Sequence, residues 1–129
     1  MPGRRTAQRA GADLETQVVG LVERLGLQAR SGVRVGRRLW GNVRVIDVVA
    51  TDDRSRKTLG IECKFQASSG TAEEKLPALI EDIKAWPIPG IVVFDGPGFS
   101  DNMRVYLHST GKAVSFEDLE DWLRLFFGL

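Results

Sequence analysis

The chain has 129 residues, 43% of them hydrophobic and 27% charged, which suits one compact domain and excludes a disordered or fibrous chain. The single cysteine excludes an internal disulfide, and no stretch approaches the roughly 20 apolar residues of a membrane span. We therefore expect a cytoplasmic protein with no membrane association and no small-molecule cofactor.

The formal net charge of +1 conceals a difference between the two halves of the chain. Residues 1–60 carry 12 Lys and Arg against 6 Asp and Glu, whereas residues 61–129 carry 6 against 11. Eleven of the twelve basic residues in the first half are arginines, whose forked side chains suit phosphate oxygens. This composition favours contact with nucleic acid, and a merely solvated basic surface is the alternative.

The first predicted element is an amphipathic helix from Ala12 to Leu25, where apolar residues recur at three- and four-residue spacing. We predict that residues 1–11 form a flexible basic arm and that residues 12–129 form a single domain. The arm contains three arginines that are candidates for contact with a nucleic-acid backbone: Arg4, Arg5 and Arg9.

Three strands are predicted next. Gly32 to Trp40 has apolar residues between glycines and arginines, which indicates a strand leading into a basic turn. Val43 to Thr51 is rich in β-branched residues between polar turn residues, and a further strand runs from Thr58 to Gln66. The link between the last two strands is short, so we expect an antiparallel hairpin.

A strand–helix–strand crossover is predicted in the second half. Thr71 to Glu74 has the hydroxyl-x-x-Glu form of a capping box, which opens a helix to about Trp86 and assigns Glu73 and Glu74 to capping. Gly90 to Phe94 is a short apolar run typical of a strand buried on both faces.

Two more helical stretches follow, around Asp101 to Ser109 and from Phe116 to Phe127. The predicted order is therefore α, β, β, β, α, β, α, with a small extra strand as an option.

Asp47 lies in the middle of an apolar strand, where a carboxylate is costly to bury without compensation. A salt bridge to an arginine such as Arg44 is the structural alternative. On the next strand, the period of two places Glu62, Lys64 and Gln66 on one face. A hairpin brings Asp47 beside Glu62, where two carboxylates repel each other unless a divalent cation lies between them.

These residues resemble the PD-(D/E)XK nucleases, the superfamily of restriction enzymes and Holliday-junction resolvases. The match consists of Asp47, fourteen intervening residues and Glu62-Cys63-Lys64, with Ile46 where proline is typical. The order of elements over residues 12–95 and the stretch from Lys64 to Lys75 fit the same resemblance. It implies an α/β fold with a restriction-endonuclease-like core, in which helices flank a mixed central sheet.

The resemblance implies a Mg²⁺-dependent DNA endonuclease that hydrolyses phosphodiester bonds, with Mn²⁺ as a substitute. Asp47, Glu62 and the backbone carbonyl of Cys63 would hold the metal, and Lys64 would orient the attacking water or stabilise the pentavalent charge. Glu15 resembles an additional carboxylate at the site, against the alternative of a Glu that favours the dipole of its helix N-terminus. Gln66 is a candidate for positioning water or phosphate, against a solvated strand residue.

Candidates for contact with the DNA backbone are Arg34, Arg37, Arg38 and Trp40, together with the N–H groups at the Thr71 helix start. Four aromatic residues indicate core or a self-association surface: Trp86, Trp122, Phe126 and Phe127. His108 is expected to be structural or exposed. A double-strand cutter would be a homodimer. The alternatives to a restriction-like enzyme are a Holliday-junction resolvase and a non-catalytic DNA-binding module that keeps the nuclease fold.

Overall fold

The computed structural model describes residues 3–37, 42–68 and 75–129, with the side chains of 3–11 and of residue 37 outside the description. Within these ranges the strands are β1 (Gln28–Arg37), β2 (Val43–Thr51), β3 (Thr58–Phe65), β4 (Gly90–Asp95) and β5 (Ala113–Ser115). The helices are α1 (Gly3–Arg24), α2 (Leu76–Lys84), α3 (Asp101–Ser109) and α4 (Leu119–Phe127), and a 3-10 turn, Phe116–Asp118, leads into α4.

The five strands form one mixed sheet in the order β1-β2-β3-β4-β5. β1, β2 and β3 are antiparallel neighbours, whereas β3, β4 and β5 run parallel. The predicted hairpin is therefore β2–β3, and α2 is the predicted crossover between two parallel strands. This architecture confirms the expected α/β fold.

Helices cover both faces of the sheet, and each face has its own apolar cluster. The first cluster, between the sheet and α1 with α4, includes Leu14, Val48 and Leu123. The second cluster, between the sheet and α2 with α3, includes Ile83 and Phe94. Both faces of β4 are buried, as its all-apolar run predicted.

Two elements, α1 and β1, begin earlier than predicted. α1 begins at Gly3 instead of Ala12, because residues 3–11 are mostly good helix formers without the apolar periodicity on which the predicted start depended. β1 begins at Gln28, before Gly32, and ends at Arg37. The optional extra strand is β5. The capping box from Thr71 to Glu74 lies outside the described residues.

Trp86 fixes the distance between α2 and the sheet. Its ring covers Gly60 on β3 and Gly90 on β4, where an added Cβ would lie 2.6 Å and 2.4 Å from ring carbons. The indole N–H donates to Asp82 Oδ2 at 3.2 Å, so a hydrogen bond to α2 also holds the ring in place. Trp86 is therefore a core residue, one of the two roles predicted for the aromatics. Among the described residues, no helix has both the length and the apolar character needed to cross a membrane.

Candidate functional site

Asp47 lies where the alternation of side chains along β2 is broken. Ile46 and Val48 are two residues apart and should share a face, yet Ile46 packs in the cluster under α2 and Val48 in the cluster under α1. The backbone of the neighbouring strand β1 is distorted at the same level. Ser31 pairs with Val48, and the next residue, Gly32, has a φ of 60°. Asp47 therefore sits at a local distortion of two paired strands.

The Asp47 and Glu62 carboxylates meet at the point where β2 and β3 separate. The β2–β3 pairing ends with Val48 opposite Ile61, and the next residues on each strand are Asp47 and Glu62. The N–H of Asp47 donates to Glu62 Oε1 at 3.3 Å, and the N–H of Cys63 donates to Asp47 Oδ2 at 2.9 Å. Side-chain oxygens thus satisfy main-chain donors that the sheet leaves unpaired.

Glu15 on α1 belongs to the same electrostatic environment. Burial raises the pKa of Glu15 above its ordinary value, and the negative charge of Asp47 raises it further. Glu15 lies well inside α1, which has no acidic residue in its first turn, so the alternative of a charge at the helix N-terminus is wrong. Glu15 also lines a small pocket of about 330 Å³ between α1 and β1.

The thiol of Cys63 is unsuited to metal binding. Burial raises its pKa far above the ordinary value, and the charges of Asp47, Glu15 and Glu62 raise it further against the opposing effect of Lys64. The thiol also packs against the cluster under α1 and α4, on the face of β3 opposite to the cleft. Only the backbone carbonyl of Cys63 remains as a donor to a metal ion.

The structure gives Arg44 a partner other than Asp47. Arg44 Nη2 lies 2.9 Å from Asp82 Oδ1 on α2, and its Nε donates to the same oxygen at 3.1 Å. The predicted structural alternative for Asp47, a salt bridge to Arg44, is therefore wrong. The pair instead ties β2 to α2 and leaves the acids at the strand separation without this cation.

Glu62, Lys64 and Gln66 line one side of a cleft whose other side is α2. Glu62 is 6% exposed and Lys64 is exposed, while Cys63 and Phe65 pack against the opposite cluster. The predicted division of this strand into two faces is confirmed. The cleft has a volume of about 1060 Å³, and its α2 side runs from Lys75 to Ala85.

Gln66 is buried, with 8% of its surface exposed, so the alternative of a solvated strand residue is wrong. Its Nε2 donates to the carbonyl of Gly98 at 2.9 Å, and the main-chain N–H of Gly98 donates back to the carbonyl of Gln66 at 2.8 Å. Gly96 and Gly98 approach β3 so closely that an added Cβ at Gly96 would lie 2.4 Å from Gln66 O. Gln66 therefore fastens the loop after β4 to the end of β3.

The other predicted contact residues are only partly described. Arg34 is exposed on the edge strand β1, opposite Val45. Arg38, Trp40 and Thr71 lie outside the described residues, as do Glu73, Glu74 and the side chains of Arg4, Arg5, Arg9 and Arg37. His108 is exposed, and its ring lies 5.6 Å from that of Phe94.

The aromatic residues at the C-terminus belong mainly to the core. Phe127 is buried, and Trp122 and Phe126 are partly buried against the cluster under α1 and α4. The rings of Trp122 and Phe126 stack at 5.3 Å. Leu125, on the outer side of α4, is 85% exposed.

The donors at the strand separation fit a hard divalent cation. Two carboxylates lie at the site, and the second oxygen of Asp47 accepts no hydrogen bond from the described part of the chain. The described residues contain no group of three or more His, Cys, Asp and Glu side chains placed to hold a metal ion. A set of two carboxylates suits Mg²⁺, which usually keeps several waters and binds through one or two carboxylates and substrate phosphate.

Sequence reasoning missed the residues that build the cleft. Asp82 reads as a solvated residue on a helix, although it holds both Arg44 and Trp86. Phe99 reads as a loop residue, although it is buried and lines the cleft. The one available signal was Gly96-Pro97-Gly98, where two glycines around a proline indicate a tight approach of main chains.

Comparisons with known proteins bear on the family and on the fold. A family model described as a PD-(D/E)XK nuclease superfamily domain matches residues 6–121. A solved protein of unknown function, AF1548, is 22% identical with a TM-score of 0.54, over 79% of this chain and 56% of that one. Protein VC1899 from Vibrio cholerae is 18% identical with a TM-score of 0.58, over 84% of this chain and 30% of that one.

The chain thus spans about half the length of the first of these structures and under a third of the second. At this identity the two likenesses show the fold alone. A comparison with curated proteins finds no significant match.

Proposed function

The chain belongs to the PD-(D/E)XK nuclease superfamily, and on that premise we propose that it is a metal-dependent DNA endonuclease that hydrolyses phosphodiester bonds. The observation that carries the proposal is the pair Asp47 and Glu62, tied to each other's strand where β2 and β3 separate. Lys64 follows on the same face as Glu62. Two acids and a cation at one opening of a sheet are the parts that such hydrolysis requires.

Asp47, Glu62 and the carbonyl of Cys63 would hold Mg²⁺, with Mn²⁺ as a substitute. The bound ion supplies a Lewis acid for the scissile phosphate and lowers the pKa of a bound water. Lys64 contributes a mobile ammonium group that pairs with the charge developing on the phosphate oxygens. The charge of Asp47 raises the pKa of Glu15, so the two side chains are near each other. We assign Glu15 to a further metal position or to the water shell of that metal ion.

Gln66 contributes to the reaction by holding a neighbouring part of the site in place. Its amide is engaged with Gly98, and its main chain bonds to Asp95 and Gly98, so it holds the end of the strand that carries Lys64. The exposed Arg34 on β1 is a contact for the DNA backbone, because a guanidinium pairs well with phosphate oxygens.

One such site cuts one strand, so double-strand cutting calls for a symmetric homodimer. The exposed apolar side chains near the C-terminus, Leu125 and Leu129, are the contact residues that we propose for the homodimer. Sedimentation of the protein bound to duplex DNA measures whether it is a homodimer. A protein that stays monomeric and leaves nicks contradicts the homodimer.

Cleavage assays test the enzyme itself. Supercoiled plasmid, linear duplex, a four-way junction and a flap are incubated with Mg²⁺ and with EDTA. Asp47→Ala and Lys64→Ala are each expected to reduce cleavage by at least about a hundredfold. Asp53→Ala changes an exposed turn carboxylate and serves as the matched control. Full cleavage by either site variant contradicts the proposal.

A non-catalytic DNA-binding module that keeps the nuclease fold is the second candidate. Calorimetric titration with Mn²⁺ separates the two functions, because only the nuclease needs the metal. A protein that binds DNA but neither binds Mn²⁺ nor cuts any of the four substrates or a single-stranded oligonucleotide is such a module. Cleavage of the four-way junction alone identifies a resolvase.

A further inference from the structure

We propose that the cleft between β3 and α2 takes the base of an unpaired nucleotide beside the scissile phosphate, so that the preferred substrate is single-stranded DNA. The proposal rests on the proposed function, because a phosphate held by Lys64 and by the metal ion at Asp47 and Glu62 would bring the nucleotide to this place. Both residues form part of the cleft wall. A nucleotide whose phosphate reaches them has its sugar and base beside the opening.

The size of the cleft suits a nucleotide. Its volume of about 1060 Å³ lies at the upper end of the range of sites that take small organic ligands. The width of the cleft is fixed by Trp86, whose ring packs between α2 and the glycines of β3 and β4. The distance between the two walls is therefore set by packing that lies outside the cleft.

The chemistry of the walls selects a base over a phosphate. Most of the accessible surface of the walls is apolar, and the apolar side chains that form it are Leu76, Ala78, Leu79, Ala85 and Phe99. A phosphate placed among them would lose its hydration without compensation, whereas the faces of a base are apolar and stack on aromatic rings. Lys64 and Lys75 are both exposed on the wall and suit the phosphates on either side of that base.

The pairing state of the base decides whether it can enter. In a duplex each base is stacked on both faces and paired along its edge, so it reaches a cleft only after extrusion from the helix. An unpaired base is spared that cost. A cleft that opens directly beside the reacting phosphate therefore favours a single strand over a duplex of the same sequence.

Binding to the 129-residue chain tests the cleft without any cleavage. Fluorescence anisotropy is measured with Ca²⁺ in place of Mg²⁺, so that the carboxylates keep a cation, and with a labelled oligonucleotide that is single-stranded or paired with its complement. Ala78→Trp fills the cleft from an exposed position on α2 and is expected to weaken single-strand binding about tenfold, the effect of one stacked base, with less than twofold change on the duplex. Val105→Trp adds the same side chain at an exposed position on α3, outside the cleft, and should change neither.

Ala85→Trp fills the cleft from the other end of α2 and repeats the test if Ala78→Trp unfolds. Single-strand binding that is unchanged in a folded cleft variant overturns the proposal, and so does an equal loss on both oligonucleotides. Failure of the proposed function is a separate result. Selective single-strand binding without cleavage in Mg²⁺ rejects the nuclease and keeps the cleft, whereas cleavage of single strands that Ala78→Trp leaves unchanged rejects the cleft and keeps the nuclease.

Discussion

Asp47 and Glu62 are held by each other's strand. Glu62 accepts the N–H of Asp47 at 3.3 Å, while Asp47 accepts the N–H of Cys63, the residue after Glu62, at 2.9 Å. The main chain therefore orients both acids before any ligand arrives. Two carboxylates held together in this way repel each other, and a bound cation relieves the repulsion.

Asp47→Asn is expected to abolish stabilisation by Mg²⁺ without weakening the metal-free protein. The amide oxygen can still accept the N–H of Cys63, and the change removes a negative charge near Glu15 and Glu62. The wild-type protein should gain about 2.7 kcal/mol at a Mg²⁺ concentration one hundred times its Kd. Thermal unfolding with and without MgCl₂ measures both effects.

Asp53→Asn is the matched control for this metal response, because Asp53 is an exposed turn carboxylate bonded to Gln28. It should keep the full gain in melting temperature. An Asp47→Asn protein that Mg²⁺ stabilises as much as the wild type would show that the metal binds elsewhere.

Gln66→Ala is expected to lower the free energy of unfolding by about 1–3 kcal/mol, because the buried carbonyl of Gly98 loses its side-chain donor. Gln28→Ala removes a glutamine hydrogen bond of similar length, 3.0 Å to Asp53, from an exposed site and should cost under about 0.5 kcal/mol. Urea unfolding compares the two variants. Equal effects would show that the Gln66 amide does not fasten the loop.

We expect the coupling energy of the Arg44–Asp82 pair to be larger than that of an exposed ion pair on α2, the helix that carries Asp82. The Arg44 and Asp82 side chains are 13% and 17% exposed, against 53% and 72% for Lys84 and Glu81. Double-mutant cycles to alanine should give a coupling energy above about 1 kcal/mol for the first pair and under about 0.5 kcal/mol for the second. The same small coupling in both cycles would refute the role of Asp82 in joining α2 to β2.

Asp52 is expected to make stability depend on pH. The N–H of Arg54 and the hydroxyl of Ser55 hold the pKa of its carboxyl below the ordinary value of 3.8. Its contribution is therefore fully present above pH 3.8 and is lost as the pH falls through the lowered folded-state pKa. The stability difference between wild type and Asp52→Ala should be constant near neutral pH and should narrow only in acid.

Chemical denaturation at a series of pH values measures this difference. Asp53→Ala removes the carboxylate at the neighbouring exposed position and is the control for the loss of an acidic side chain from this turn. A wild-type advantage over Asp52→Ala that grows as the pH falls would reverse the sign of the effect and contradict the assignment.

Local sequence patterns determined the main helices and strands of this protein. The strand from Val43 to Thr51 was predicted with its observed bounds, and the helix from Asp101 to Ser109 likewise, because apolar periodicity and turn residues lie within the segments themselves. The period of two was enough to place Glu62 and Lys64 on one face of the next strand. The family resemblance of Asp47, Glu62 and Lys64 also required only the order of residues along the chain.

Tertiary structure alone decided how those residues are surrounded. Arg44 pairs with Asp82, 38 positions away, and Gln66 is buried by a loop 32 positions away, so neither partner is visible in a local pattern. The break in alternation at Asp47 lies opposite Gly32, a residue of another strand with a positive φ. Side-chain partners are selected by proximity after folding, whereas helices and strands are favoured by neighbours in sequence, and this is why the acids were predictable and the cleft beside them was not.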